Sequence, residues 1–170
     1  MNGGRPHWWP VYVAIGSNLD EPRRQVLSAI DDLAKLPHTR LIRSSRLYRS
    51  PPMDGSAQSD YINAVAALIT QLDAPAFLHA LQAIEERHGR VRDGCRWAPR
   101  TLDLDLLVFG DQKICNDELT VPHPGIGTRR FVLLPLCEIA PQLRIPGLSN
   151  VEQVLRELPA DASVVTVLDE

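Results

Sequence analysis

Apolar positions along the chain switch between strand-like and helix-like spacing. Val11–Ile15 is a short apolar, β-branched run ending in Gly16-Ser17-Asn18, which predicts a strand and a turn. Pro22 suits the first turn of a helix, and Val26, Ile30 and Leu33 recur at helical spacing until Pro37 stops it. Leu41–Tyr48 reads as a strand; Arg49–Ser59, with two prolines, Gly55 and small polar residues, reads as a loop. Tyr61–Thr70 returns to strand composition. Pro75 opens a second helix with Phe77, Leu78, Leu81 and Ile84 on one face, and Gly89 closes it. Arg90–Arg100 is a second loop and Leu102–Phe109 a strand. Gly110-Asp111 is a turn, followed by irregular chain through Pro122-His123-Pro124. Phe131–Ile139 predicts a helix in spite of Pro135. Ser149-x-x-Glu152 matches a capping box before a last short helix carrying Val151, Val154, Leu155 and Leu158. Through Phe109 the order is strand, helix, strand, strand, helix, strand. That is the order of an α+β ferredoxin-like sandwich, an antiparallel sheet with helices packed on it.

A length of 170 residues suits one domain over 1–170, with residues 1–10 as an N-terminal extension of no interpretable pattern. The chain is 44% hydrophobic and 23% charged, as expected for a soluble globular protein. A net charge of −3 argues against an electrostatic grip on nucleic acid or anionic lipid. The longest apolar run near the start, Trp8–Ile15, is too short to span a bilayer and carries Pro10, so no membrane partner and no targeting segment are expected. Cys95, Cys115 and Cys137 form no CxxC pair and read as reduced thiols of a cytoplasmic protein. Neither lysine, Lys35 or Lys113, follows a glycine loop, and Gly125-Ile-Gly127 has Arg130 where a dinucleotide fingerprint has its third glycine. Phosphate chemistry in this chain therefore falls to arginine.

The most informative segment is Thr101-Leu-Asp103-Leu-Asp105-Leu-Leu-Val-Phe109. Strand side chains alternate, so Leu102, Leu104 and Leu106 face one way while Asp103 and Asp105 face the other, roughly 6.6 Å apart at their Cα atoms. Such a pair repels itself unless cations sit between the carboxylates, and oxygen-only donors suit Mg²⁺ that takes its other ligands from phosphates. The alternative is an exposed sheet face with solvated aspartates. Arg87, Arg90, Arg92, Arg96 and Arg100 fall within fourteen residues that contain one acid, Asp93, and run directly into the carboxylate pair. Guanidinium forks bind phosphate oxygens and stabilise charge in phosphoryl transfer. A solvated arginine-rich loop is the alternative, in a chain with 16 Arg and 2 Lys. Trp97, inside that loop, either closes over a flat heterocycle or packs back on the core. Tyr61 and Asn63 share a strand face, where Asn63 can pair with the amide and amidine edge of a ring or serve as a strand-end residue. His123 is a fixed loop imidazole able to donate to phosphate or to hold the loop.

Arg96-Trp97-Ala98-Pro99-Arg100-Thr101-Leu102-Asp103-Leu104-Asp105-Leu106-Leu107 resembles the signature of the hydroxymethyldihydropterin pyrophosphokinase family of folate biosynthesis. Further matches follow in order: Ile15-Gly16-Ser17-Asn18-Leu19, Tyr48-Arg49-Ser50-Pro51-Pro52, Gln58 through Asn63, Glu85 with Gly89-Arg90, Val121-Pro122-His123-Pro124, and Arg129 through Phe131. The resemblance implies transfer of the pyrophosphoryl group of ATP to the hydroxymethyl oxygen of the reduced pterin, leaving AMP. It implies two Mg²⁺ ions on Asp103 and Asp105, and Arg90, Arg92, Asp103 and Asp105 as the catalytic set. Ser50, Pro51, Met53, Tyr61, Asn63, Trp97 and Phe131 are implied as the pterin pocket. Glu85, Arg90, Arg92, Arg100, His123 and Arg129 are implied around ATP. The expected partners are these small molecules alone, bound by a monomer, with the loops Gly16–Glu21, Arg49–Ser59 and Arg90–Arg100 closing the site. Ala98, Asp54 and Asp93 depart from the family pattern. Two other classes compete: a ferredoxin-like RNA-binding module, against which the carboxylates on the last strand argue, and a regulatory domain that holds pterin or nucleotide without turnover.

Overall fold

The computed structural model describes residues 6–90, 101–159 and 164–169. Its elements begin with strand β1 (Trp9–Ser17), helix α1 (Pro22–Ala34), strands β2 (Thr39–Ser44), β3 (Tyr48–Ser50) and β4 (Tyr61–Thr70), helix α2 (Ala74–Arg87) and strand β5 (Asp103–Phe109). The Asp73 side chain caps α2 by accepting the Ala76 N–H at 2.9 Å. Gly89, with φ 81°, ends α2 in the left-handed conformation that only glycine adopts cheaply. Every pairing in the main sheet is antiparallel, in the order β5-β1-β4-β3, with β2 beside β3 on the same edge of β4. The ferredoxin-like expectation holds.

The single strand expected over Leu41–Tyr48 is two segments. Between them Ser45 donates its N–H to the Val65 carbonyl at 2.9 Å, while the Val65 N–H goes to Ser45 Oγ at 2.9 Å. A side-chain oxygen thus takes the place of a ladder carbonyl and interrupts the strand without leaving a buried N–H unpaired. Strand β8 (Thr166–Val167) adds to the outer edge of β3, an element for which the pattern carries no signal.

One sheet face packs on α1 and α2 through Val11, Val13 and Ile15 of β1, Ala64, Ala66 and Leu68 of β4, and Leu104 and Leu106 of β5. The opposite face is covered over part of its length by α3 (Arg130–Ile139) and α4 (Val151–Glu157), against Val65, Leu107 and Val108. A bulge sets this second contact. The β1–β5 register skips Leu107 between Tyr12 and Val13, so consecutive residues Leu107 and Val108 both reach the α3–α4 layer, while Leu106 and Phe109 stay in the first core. Pro135 lies within α3, as the apolar spacing required, and is buried.

Three further expectations are corrected. The chain after Gly110-Asp111 contains a small hairpin, β6 (Ile114–Cys115) with β7 (Thr120–Val121), closed by the Asn116 carboxamide, which accepts the N–H groups of Glu118 and Leu119 at 3.0 and 2.8 Å. The cap of α4 is Asn150, whose side chain accepts the Gln153 N–H at 2.9 Å, rather than Ser149. Part of the uninterpreted N-terminal segment has a packing role. Trp9 belongs to β1 and lies 5.8 Å from the Phe109 ring, and Trp8 holds the Arg40 guanidinium 4.9 Å from its centroid. A Cβ at Gly110 would stand 2.8 Å from the Trp9 ring, so this turn needs glycine for close approach as well as for its φ of 54°. Among the described residues no helix is long and apolar enough to cross a membrane.

Glu138 of α3 fastens the second layer to the sheet edge. Its carboxylate accepts from the Tyr48 hydroxyl and from the Arg46 N–H, and pairs with the Arg46 guanidinium at 3.4 Å. Burial first, and then the bond to Glu138, pushes the Tyr48 phenol up to about 12. A phenol that resists ionisation only when folded contributes stability that is whole below its ordinary value of about 10 and is lost as pH rises through about 12. Melting temperatures of wild type and Tyr48→Phe, followed upward from pH 9, should therefore converge across this window. A gap that stays constant would remove Tyr48 from the linkage.

Candidate active site

The two middle strands supply the floor of the site. Gly16 on β1 lies opposite Asp103 of β5 on one side and Asn63 of β4 on the other; Ala14 likewise lies between Asp105 and Val65. Directly opposed residues share a sheet face, so the carboxylates, Asn63 and Tyr61 stand on the side away from α1 and α2, as the alternation predicted. Gly16 and Ala14 carry almost nothing above the sheet, and a Cβ at Gly16 would already come within 3.4 Å of Asn63 Oδ1. The result is a trough with polar walls, continuous with a cavity of about 270 Å³.

Ten of the residues implied for pterin, ATP or metal line this cavity. They are Ser50, Pro51, Met53, Tyr61, Asn63 and Phe131, together with Asp103, Asp105, His123 and Arg129. Asn63 is 5% exposed and donates its amide N–H to Ser50 Oγ at 2.8 Å, which sets the amide plane. Met53 is 49% exposed on the rim. Asn18 ties the wall to the end of β1: its amide donates to Gln58 Oε1 at 3.1 Å and to the Ser59 carbonyl at 3.3 Å. Ser17 donates to the Thr101 carbonyl at 2.5 Å and so anchors the approach to β5. Gly16, Ser17 and Asn18 were legible as a turn. Their part in holding three segments together depends on contacts across 40 to 84 residues, for which local spacing holds no signal.

Glu85 and Arg90 do not line the cavity themselves but join it through Asp103. The Glu85 carboxylate, on a residue 2% exposed, accepts the Leu104 N–H at 2.8 Å and pairs with the Arg90 guanidinium, which also donates to Asp103 at 2.8 Å. Arg90 therefore bridges a buried acid under the sheet and a carboxylate in the site.

On the other side of the pair, His123 Nε2 lies 3.7 Å and Arg129 Nη1 3.8 Å from Asp105 Oδ2. Two backbone bonds fix the imidazole. The His123 N–H donates to the Leu107 carbonyl at 2.8 Å, and the Gly125 N–H donates to His123 Nδ1 at 3.0 Å. Because Nδ1 accepts, a neutral ring carries its proton on Nε2, the nitrogen facing the carboxylates. Burial, and next the Arg129 charge, hold the His123 pKa below its ordinary value, against an opposing pull from Asp103. The site thus presents acceptors from β5 and donors from around them. Arg92, Trp97 and Arg100 fall outside the described residues.

With this geometry in hand, the chain can be set beside known proteins. The family model for 7,8-dihydro-6-hydroxymethylpterin-pyrophosphokinase matches residues 12–141. The 2-amino-4-hydroxy-6-hydroxymethyldihydropteridine pyrophosphokinase of Pseudomonas aeruginosa is 50% identical over 149 residues, 88% of this chain and 91% of that protein. Its namesake from Haemophilus influenzae is 41% identical over 146 residues, 86% of this chain and 91% of that protein. Among solved structures, wild-type Plasmodium falciparum HPPK-DHPS with pteroate superposes with a TM-score of 0.70 at 14% identity, over 89% of this chain and 42% of that one. This last likeness is one of fold, and the chain spans less than half of the Plasmodium protein.

Proposed function

The chain belongs to the 7,8-dihydro-6-hydroxymethylpterin-pyrophosphokinase family of ATP-dependent folate enzymes, and we propose that the trough beside Asp103 and Asp105 is where its pyrophosphoryl transfer takes place. The observation that carries this reading is the meeting, in one cavity, of a carboxylate pair with a polar and aromatic slot built from Asn63, Tyr61 and Phe131. The slot takes the flat pterin, its amide and amidine edge hydrogen-bonding near Asn63 and its rings against the aromatic walls. The triphosphate of ATP is assigned to His123 and Arg129, and by the family resemblance to Arg92 and Arg100 as well.

The donor set suits Mg²⁺. Asp103 and Asp105 offer only oxygen, and among the described residues no group of three or more His, Cys, Asp or Glu is assembled that would form a closed metal cage. A hard cation that draws its remaining ligands from water and phosphate fits such an open pair, and we assign two Mg²⁺ ions to it. When bound, they neutralise phosphate charge and polarise the phosphoryl oxygens. The chain's own residues do the rest. Asn63 and the aromatic walls aim the hydroxymethyl oxygen at the β-phosphorus. The O–Pβ bond forms as the bond from Pβ to the oxygen bridging the α-phosphate breaks. AMP leaves with that oxygen, and the alcohol proton goes to solvent. The His123 Nε2–H and the guanidinium groups of Arg90, Arg92 and Arg129 receive charge that shifts toward the leaving oxygen. Trp97 is assigned to the pterin site, and Glu85 acts through Arg90. The thiols of Cys115 and Cys137 are free, which suits a reducing cytoplasm, where the enzyme acts as a monomer on small molecules.

The test is product analysis. Incubated with ATP, Mg²⁺ and the reduced hydroxymethylpterin, the protein should form AMP and pterin diphosphate in equal amounts. ADP would make it an ordinary kinase, and binding without turnover would make it a regulatory ligand domain; either result overturns the proposal.

A further inference from the structure

We infer that Gly125 is a positioning residue for nucleotide binding, because the absence of a side chain there is what lets the Arg129 guanidinium lie against the loop and face the carboxylate pair. The inference rests on the reading of Arg129 as a phosphate-binding group. A Cβ at position 125 would stand 2.4 Å from Arg129 Nε, 2.7 Å from Cζ and 3.0 Å from Cδ. The first two separations are shorter than non-bonded atoms tolerate and the third is tight, so any other residue must shift the guanidinium from its present place, 3.8 Å from Asp105.

The backbone does not demand glycine here. Among the described residues the glycines with positive φ are Gly55, Gly89, Gly110 and Gly147, and Gly125 is not one of them, so alanine can take the same backbone conformation. The other contacts of Gly125 are made by its main chain. Its N–H donates to His123 Nδ1 at 3.0 Å, and its carbonyl accepts the Thr128 N–H at 3.3 Å. Both survive a change to alanine. Substitution at 125 therefore acts on Arg129 while leaving His123 held. In the sequence, Gly125-Ile-Gly127 reads only as a failed dinucleotide fingerprint; the fold gives its first glycine a different part.

The test is a double-mutant cycle of Gly125→Ala, Arg129→Ala and the pair, each assayed for kcat and for KM toward ATP and pterin, with thermal melts alongside. Loss of a charge-assisted phosphate contact in Arg129→Ala should raise KM for ATP about tenfold or more. Gly125→Ala should raise the same constant about three- to tenfold, with KM for the pterin unchanged. The pair should match Arg129→Ala alone. Any fall in melting temperature in Gly125→Ala should be relieved in the pair, where the clashing side chain is gone. A Gly125→Ala enzyme with wild-type KM for ATP, or one whose kinetic or thermal defect persists unchanged in the Arg129→Ala background, overturns the inference while leaving the site reading intact. A wild-type KM for ATP in Arg129→Ala itself overturns the phosphate role of Arg129 and the inference with it.

Discussion

Asp105→Asn lowers kcat by about a thousandfold while KM for the pterin stays within about twofold. The substitution keeps the shape of the side chain and removes its charge. Among the described residues Asp105 faces His123 at 3.7 Å and Arg129 at 3.8 Å, both at the site itself. The loss falls on phosphate neutralisation in the transition state, where several kcal/mol of electrostatic stabilisation correspond to about two to three decades of rate. Single-turnover kinetics beside pterin titrations checks it. Equal losses in rate and in pterin affinity would contradict the proposed role, since the pterin is assigned to Asn63, Tyr61 and Phe131 rather than to Asp105. Asp103→Asn should behave differently in one respect. Asp103 accepts from Arg90 at 2.8 Å, and Arg90 is in turn paired with the buried Glu85, so its loss should also lower the melting temperature.

Glu85→Ala is the second large effect, this time on stability. The carboxylate is almost wholly buried, accepts the Leu104 N–H and pairs with the Arg90 guanidinium. Removing it takes away two charge-assisted bonds, leaving a buried N–H without its acceptor and Arg90 without one of its two carboxylate partners, which costs about 3–5 kcal/mol. For a chain of this length that is a fall of roughly 6–20 °C in melting temperature. Glu85→Gln keeps an oxygen for Leu104 and should lose less. A melting temperature within about 2 °C of wild type in Glu85→Ala would show that Glu85 does not anchor β5. Because β5 carries Asp103 and Asp105, the anchor also bears on the site. The sheet holds its catalytic edge partly through an acid that never reaches the cavity.

The helices and strands through Phe109 were legible because their apolar spacing is regular and their ends carry Pro22, Pro75 and Gly89, residues whose backbone chemistry punctuates a chain. Elements of two or three residues were not legible. β3, β6, β7 and β8 exist because a partner strand or a side chain such as Asn116 completes their hydrogen bonds, and two residues define no period. The α4 cap shows the same limit at one residue: Ser149 and Asn150 are both good caps, and only the packed position of Val151 and Val154 selects Asn150. The Trp8 and Trp9 pair, opaque by pattern, packs against residues far along the chain.

For the site, alternation along one strand was enough to put Asp103 and Asp105 on a common face, and residue chemistry was enough to nominate arginine, histidine and asparagine as their companions. Which companions meet them was a matter of three dimensions. Cross-strand register set Gly16 and Ala14 between the carboxylates and the β4 wall, and the β5 bulge turned the rest of that face toward α3 and α4. Burial drew Glu85 under the sheet, away from the cavity, and a missing side chain at Gly125 left Arg129 the space it occupies. Chemistry is written into each residue and its near neighbours, whereas distance between segments is set only when the apolar faces close on one another.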